Sequence, residues 1–336
     1  MTIKDLVKLS GYSLGTVSRV LNNQPNVSEK ARKTVLALAE EYGFERNPNA
    51  RSLKQQRSNA VLVVVKGTNN ELFSGMVEQY QKLFSETEHP LLVDFIDESE
   101  NEVQRAVQLC RERKPEGILF LGGTNANFAR GFSAVSVPAV VVTNDASGLG
   151  FSNLSSVYTD DTAGAACAMD CLIRAGHRSI AILGGDRALS DTSRKRFEGC
   201  MLACERNSLA FDEAMYHTVR YSYASGYEAM SAVLSAPSPV SAVFAMSDVI
   251  AIGAMRCAVD RGLRIPEDAS VIGYDGLQIG SYYVPRLTTV RQDTEKLASY
   301  SFSLLIDCME NGAEAKHISV PFTLDIKNSV REVSDK

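Results

Sequence analysis

The sequence contains no tryptophan and only four histidines, at positions 89, 177, 217 and 317. Such scattered histidines offer few candidates for a metal centre or for the general base of a catalytic site. No G-x-G-x-x-G follows an apolar run, and no P-loop occurs. These absences argue against nucleotide-dependent enzymes. A carbohydrate enzyme whose catalytic residues meet only in the folded chain stays an alternative.

Disulfide and membrane signals are also scarce. The seven cysteines include no C-x-x-C pattern, and the pairs Cys167/Cys171 and Cys200/Cys204 have no histidine or further cysteine at ligand spacing. We therefore interpret them as buried thiols and expect neither a metal nor a cofactor. The start, MTIKDL, carries charge where a signal peptide needs an apolar core, and no apolar run reaches membrane-span length. This pattern predicts a cytoplasmic protein.

Positive charge is concentrated at one end of the chain. Residues 1–58 contain ten Lys or Arg and five Asp or Glu, a net charge of +5, whereas the whole chain carries −5, so the remainder carries −10. Such asymmetry favours a small polyanion-binding module attached to a larger domain with another role.

Residues 11–15 read GYSLG, which matches the G-x-S-x-G turn that presents a nucleophilic serine in hydrolases. That turn requires a buried strand before it, but the preceding TIKDLVKLS has apolar residues at helical spacing. We interpret Gly11 as a tight turn between two helices. Ser13 is then predicted to be the N-cap of the second helix, with a structural role.

Two further helices follow this turn. One is predicted to run from Ser13 through TVSRVLNN, and the other, EKARKTVLALAEEYG, is predicted to begin after Ser28 and to end at Gly43. Three short helices with a glycine turn are typical of helix-turn-helix modules, whose second helix enters the major groove of DNA. A helical bundle for protein contacts is the alternative.

The stretch TIKDLVKLSGYSLGTVSRVLNNQPNVSEKARKTVLALAEEYGF resembles the DNA-binding head of the lactose-repressor family, whose hallmark is T-I-x-D-h-A-x-x-A-G-V-S-x-x-T-V-S-R-V-h-N. The resemblance implies that the bases are faced by Leu14, Gly15, Ser18 and Arg19, and that phosphates are held by Thr2, Thr16, Asn22, Asn26 and Ser28. Arg19 would be the main reader, with guanine as its usual target. Gly15 departs from the pattern and has no side chain to donate a hydrogen bond, so we expect limited direct readout.

The linker, FERNPNARSLKQQRS, spans residues 44–58, and residues 48–55 can form a short helix that orders only when packed. In the family this helix packs against its copy in a second subunit, in the minor groove. The resemblance implies DNA contacts for Ala50, Leu53 and Lys54, with Leu53 as a wedge between bases. It also implies a homodimer, with a tetramer possible.

From residue 60 onward, short apolar runs alternate with helical segments, from AVLVVV to SVIGYDG. This alternation predicts an α/β fold with two doubly wound, parallel-sheet halves. The predicted domains are a helix-turn-helix head over 1–46, a hinge over 47–58 and a larger domain over 59–330. In the larger domain, one half comprises about 59–160 plus 291–325, and the other comprises about 161–290.

Polar residues gather where the predicted strands end. They are Asn144, Asp145, Asp160, Asp161, Asp186, Ser247, Asp248 and Asp275. Because ligands bind beyond the carboxyl ends of parallel strands, two facing halves would place these residues around one cleft. Carboxylates and Arg196 can bind vicinal hydroxyls, and Phe73 or Tyr221 can stack on a sugar face. A sugar or another polyol suits this set of side chains, although Asp also caps helices.

Segments such as LIRAGHRSIAILGG, RKRFEG, AVFAMSDVIAIGAM and RGLRIPEDASVIGYDG resemble the effector domain of the same repressors, which is related to periplasmic sugar-binding proteins. The resemblance implies effector contacts for Leu72, Phe73, Asp160, Thr192, Arg196, Tyr221, Ser247, Asp248, Asp275 and Gln292. The resulting hypothesis is a dimeric, operator-binding transcription regulator, expected to repress, that responds to a small molecule. A sugar-binding receptor without DNA function is a further alternative, but it would not need residues 1–58.

Overall fold

The computed structural model describes residues 3–21, 27–42, 58–68, 70–237 and 239–333, which belong to two units on either side of the linker. Each unit is described by itself. Most of the predicted hinge lies outside these residues, including Ala50, Leu53 and Lys54. In the described ranges, no helix combines the length and apolarity needed to cross a membrane.

The described residues of the first unit form the three predicted helices, which are α1 (Ile3–Ser10), α2 (Leu14–Leu21) and α3 (Glu29–Glu41). Their shared core contains Leu6, Val17, Val20, Leu21 and Val35. Gly11 ends α1 with φ +69° and donates its N–H to the Val7 carbonyl at 3.1 Å. This left-handed conformation suits glycine, which has no Cβ. The three-helix prediction is confirmed.

Serine side chains begin two of these helices. Ser13 Oγ accepts the backbone N–H of Thr16 at 3.3 Å, and Ser28 Oγ accepts that of Ala31 at 3.3 Å. Both therefore satisfy an amide that the helix itself leaves without a partner. The predicted N-cap role of Ser13 is confirmed, and helix α1 stands where a nucleophile turn would require a strand.

The first half of the second unit contains one parallel sheet. Its strands are β1 (Val61–Lys66), β2 (Leu91–Ile96), β3 (Gly117–Leu121), β4 (Ala139–Val142), β5 (Leu154–Tyr158) and β11 (His317–Ser319), in the order β11-β5-β4-β3-β1-β2. Its helices are α4 (Glu71–Ser85), α5 (Glu102–Arg113), α6 (Asn125–Gly131) and α12 (Thr294–Asn311), with short 3₁₀ turns at Phe132–Ala134 and Ser147–Leu149. Apolar residues fill both faces of the central strands, which explains continuous runs such as VLVVV.

The second half repeats this plan. Its strands are β6 (Ile180–Gly184), β7 (Tyr216–Thr218), β8 (Ala242–Ala245), β9 (Ser270–Asp275), β10 (Thr288–Gln292) and β12 (Phe322–Asp325), in the order β12-β10-β9-β8-β6-β7. Its helices are α7 (Asp161–Arg174), α8 (Asp191–Arg206), α9 (Tyr223–Ser235), α10 (Asp248–Asp260) and α11 (Ile279–Tyr282), with a 3₁₀ turn at Glu213–Met215. Among the strands of the described ranges, only β12 runs antiparallel to its neighbour. The prediction of two doubly wound halves is confirmed.

Each sheet reverses its strand order at one position. The chain moves from β1 to β2 on one side and then returns to place β3 on the other side, and β6, β7 and β8 repeat this reversal. Loops diverge beyond the carboxyl ends of strands at such a reversal, which leaves a crevice where ligands bind. The fold therefore provides one such crevice in each half.

The tail of the chain corrects one predicted boundary. Residues 291–325 are not confined to the first half, because Arg291 and Gln292 belong to β10 and residues 322–325 form β12, both in the second sheet. The HISVPFTLDI segment is split at Pro321, which lacks the N–H that a continuous ladder would need. Helix α12 and strand β11 do return to the first half, so the described part of the chain crosses between the halves three times.

We predict that Ser13→Ala weakens the three-helix unit by about 0.5–2 kcal/mol, because an N-terminal amide of α2 loses its acceptor. Amide hydrogen exchange across α1 to α3 in the full chain would measure this loss. Ser13→Asp, which keeps a capping oxygen, is the matched control and should remain close to the wild type. Equal protection in Ser13→Ala and the wild type would contradict the capping role.

Candidate functional site

The outward face of α2 carries the residues predicted to read bases. Leu14, Gly15 and Arg19 are exposed and Ser18 is half-buried, while the opposite face packs into the core through residues such as Val17. Thr16 is half-buried, and its hydroxyl lies 3.0 Å from Ser13 Oγ. The surface is thus a polar and apolar mixture with one long cationic side chain. Thr2, Asn22 and Asn26 lie outside the described residues.

A cavity of about 450 Å³ lies between the two halves of the second unit. This volume falls in the range of small-molecule sites. Seven of the ten residues predicted to contact an effector line it, namely Leu72, Phe73, Thr192, Arg196, Tyr221, Asp275 and Gln292. The lining also includes residues just beyond the strand-order reversals, such as Gly122 and Gly185.

Arg196 is a buried residue of the cavity lining. It is 3% exposed, its Nε donates to Asp161 Oδ1 at 2.8 Å, and its Nη1 donates to the Met246 carbonyl. Its guanidinium carbon lies 3.6 Å from the centre of the Tyr274 ring. Burial alone would lower the pKa of Arg196, but the nearby Asp161 and other groups outweigh it and raise the pKa. The guanidinium is therefore a permanent charge.

Asp275 lies beside this guanidinium at the end of β9. Its Oδ1 is 3.7 Å from Arg196 Nη2 and accepts Gln292 Nε2 at 2.8 Å, while its Oδ2 accepts Ser247 Oγ at 2.7 Å. Burial raises the pKa of Asp275, and Arg196 opposes that rise. The backbone adopts φ +110°, which a non-glycine residue rarely does. Such strained residues concentrate at ligand sites, where surrounding contacts hold them.

Polar contacts join the two halves around the cavity. Thr192 Oγ1 donates to Asn144 Oδ1 at 3.0 Å, and the Asn125 N–H donates to Asp191 Oδ2 at 2.6 Å. Arg220, just beyond β7, forms ion pairs with two acidic residues just beyond β2, Asp97 and Glu98. Contacts between the two halves therefore surround the cavity.

Three predicted effector residues do not line the cavity. Asp160 instead caps α7, where its Oδ1 accepts the Ala163 N–H at 2.9 Å. Ser247 is buried, and its hydroxyl donates a hydrogen bond to Asp275. Asp248 is fully buried and accepts hydrogen bonds from Thr289 Oγ1 and the Leu277 N–H, each at 2.6 Å. Their position at strand ends was read correctly, but their side chains are used within the fold.

Sequence reasoning missed Lys66, Asp97, Glu98 and Arg220, all of which line the cavity. Lys66 ends the apolar run of β1 and Asp97 immediately follows β2, so the strand-end criterion applied to the first two strands would have found both. Arg220 lies two residues beyond β7 and meets the same criterion, but its ion pair with Asp97, 123 residues away in sequence, could be found only in the folded chain.

Among the described residues, no group of three or more His, Cys, Asp or Glu is arranged to hold a metal ion. All seven cysteines are free thiols; Cys200 and Cys204 are buried, whereas Cys167 and Cys171 are half-buried. Burial raises the pKa of Cys200 well above its ordinary value. A thiol in this state is a poor nucleophile.

A helix-turn-helix unit followed by two doubly wound halves around a polar cavity defines a DNA-binding protein with a ligand-binding domain. Residues 2–47 match the family described as bacterial regulatory proteins, lacI family, and residues 169–330 match the periplasmic binding protein-like domain. The chain is 32% identical to the HTH-type transcriptional regulator MalR of Clostridium butyricum, over 95% of this chain and 96% of that protein. It belongs to the lacI family of bacterial regulatory proteins.

Two solved structures share this fold over nearly the whole chain. The transcriptional regulator CelR in complex with cellobiose has a TM-score of 0.72 at 26% identity, covering 98% of this chain and 99% of that one. The lac repressor dimer bound to operator and the anti-inducer ONPF has a TM-score of 0.76 at 25% identity, with the same coverage.

We predict opposite pH effects for two aspartates. Burial, together with the charge of Asp275, raises the pKa of Asp248 well above 3.8, so its ionisation destabilises the folded state as pH rises from about 4 through the folded-state pKa. Hydrogen bonds with Arg264 lower the pKa of Asp268 to about 2, so its stabilising contribution is present at neutral pH and is lost as pH falls.

Urea unfolding of the full chain at a series of pH values tests both signs. Relative to the wild type, Asp248→Asn should gain stability as pH rises from about 4 to 8. Asp268→Asn should instead lose stability relative to the wild type as pH rises from about 2 to 5. If the free energies of unfolding of Asp248→Asn and the wild type changed with pH in parallel, burial would not raise the pKa of Asp248.

Proposed function

We propose that this protein is a cytoplasmic transcription repressor whose affinity for operator DNA changes when a sugar or related polyol occupies the cavity. The observation that carries this proposal is the arrangement of Arg196, Asp275 and Gln292 around a cavity between the two halves. Fixed donors and acceptors of this kind suit vicinal hydroxyls. The relatives named above are transcriptional regulators, and one solved structure holds cellobiose.

The DNA-binding part of the proposal concerns α2. Its outward face, with Leu14, Gly15, Ser18 and Arg19, would enter the major groove, while Thr16 and Ser28 would approach phosphates. Thr2, Asn22 and Asn26 would add phosphate contacts, and Leu53 would act as the minor-groove wedge, with Ala50 and Lys54 beside it. The positive charge of residues 1–58 favours this role, because it would release counterions from DNA.

We further propose a homodimer, as in the lac repressor dimer bound to operator. Two apolar side chains near the end of the short helix α11, Tyr282 and Val284, are 75% and 83% exposed. Exposed apolar side chains this close together favour burial against another protein surface. A second copy of this chain is the proposed occupant, since symmetric operators require two reading helices.

We propose no catalytic activity. The described residues that line the cavity include no histidine, and the buried carboxylates Asp161 and Asp275 share the Arg196 guanidinium. This arrangement suits binding, because charges held in mutual ion pairs are poorly placed to transfer a proton.

Mobility shift on the region upstream of the gene, with and without candidate sugars, tests the whole proposal. We expect one sugar to change operator affinity by about 5- to 150-fold, and operator to change sugar affinity by the same factor. Asp275→Asn should bind operator but lose this response, whereas the exposed Asp212→Asn should behave as the wild type. No shift would remove the DNA-binding role, and a shift that no sugar alters would remove the effector.

Arg19→Ala should weaken binding to the operator by about 1–3 kcal/mol, because one bidentate base contact is lost. Binding to random DNA of the same length should weaken less, because Arg19 contributes only electrostatic attraction to the phosphates there. Titrations of both DNAs at one salt concentration measure this difference. Equal losses would reassign Arg19 to a phosphate contact.

A further inference from the structure

A buried ion pair in the first half lies next to the cavity. Lys66 ends β1 and lines the cavity, and its Nζ donates to Glu102 Oε2 at 2.7 Å. Glu102, at the start of α5, is 0% exposed. It also accepts the Thr124 N–H at 2.7 Å and Asn127 Nδ2 at 3.0 Å. Three donors around one carboxylate suit its ionised form, whose charge cancels that of Lys66.

The other two cationic residues in the described lining are neutralised as well. Arg196 is paired with Asp161 and contacts Asp275, and Arg220 is paired with Asp97 and Glu98. Asp186 adds a further carboxylate to the lining. Among the described residues around the cavity, carboxylates therefore outnumber cationic side chains.

This charge balance discriminates between classes of effector. A carboxylate or phosphate brought into the cavity would lose water and meet no cation without a carboxylate partner, while Asp275 and Asp186 repel it. Hydroxyl groups do not incur this penalty. They can accept from Lys66 and Gln292 and donate to Asp275, without a change in the net charge of the site.

We propose that the Lys66–Glu102 pair makes the cavity select an uncharged polyhydroxylated effector over the corresponding acid or phosphate, and that Glu102 determines this selectivity. The inference rests on the proposed effector function of the same cavity. Glu102 acts as a positioning residue, because it acts through Lys66. Without the Glu102 charge, the ammonium group of Lys66 would attract an anion.

The experiment is calorimetric titration of the full-length protein with matched sugars. The neutral set is glucose, galactose, ribose, maltose and cellobiose, and the anionic set is glucuronate, galacturonate and glucose 6-phosphate. The wild type should bind a neutral sugar at least about tenfold more tightly than its charged counterparts. Tighter binding of an acid or a phosphate would overturn the proposal while leaving the effector function intact.

Variants test the assigned residue. Glu102→Gln keeps the shape but leaves Lys66 uncompensated, so the preference for the neutral sugar over its acid should fall at least about tenfold. The double variant Lys66→Met, Glu102→Gln removes both charges and should retain the preference for a neutral sugar over its acid. It tests the proposal even if Glu102→Gln alone does not fold. Glu116→Gln, which changes a residue outside the cavity lining, should match the wild type.

Two further results would contradict the selectivity proposal, and a third would also remove the proposed effector function. An unchanged preference in folded Glu102→Gln, or acid binding by the double variant, would show that the pair does not set selectivity. Failure of the wild type to bind any sugar in either set would remove the proposed effector function, and the present proposal with it.

Discussion

The buried guanidinium of Arg196 is the interaction on which the second unit depends most. It joins the start of α7 through Asp161, the end of β8 through the Met246 carbonyl and the end of β9 through Asp275. Removing one member of a buried pair costs about 3–5 kcal/mol, because the charge left behind has no partner. The same contacts that fix these strand ends therefore fix the donors and acceptors of the cavity. Arg196 therefore stabilises the fold and also determines the arrangement of polar groups in the cavity.

Much of the fold followed from local patterns. Ser13 and Ser28 marked helix starts because an N-cap is a short-range interaction, and continuous apolar runs marked strands because helices cover both sheet faces. The tail, which ends in HISVPFTLDI, was assigned to the first half because it is too short to form a third domain. Pro321 allows its two parts to pair with different sheets, which only the assembled sheets decide.

The cavity was predictable in kind but not in every residue. Arg196 and Asp275 could be found from the family pattern and from strand ends, but the chemistry of an aspartate at a strand end does not distinguish a ligand contact from a cap. Asp160 shows this ambiguity. Glu102 and Lys66 are 36 residues apart, and Arg220 and Asp97 are 123 apart. Pairs at such separations require the folded topology before they can be recognised.

The three crossings between the halves also determine how the cleft can move. They connect β5, β10, β11 and β12, which lie at one edge of the two sheets, whereas β2 and β7 form the opposite edge. Connections gathered at one edge allow the two halves to rotate about that edge, which is the hinge type of domain closure. Displacement grows with distance from the axis. The ion pairs of Arg220 with Asp97 and Glu98 lie at the far edge, where a small rotation separates charges most and where water already reaches them.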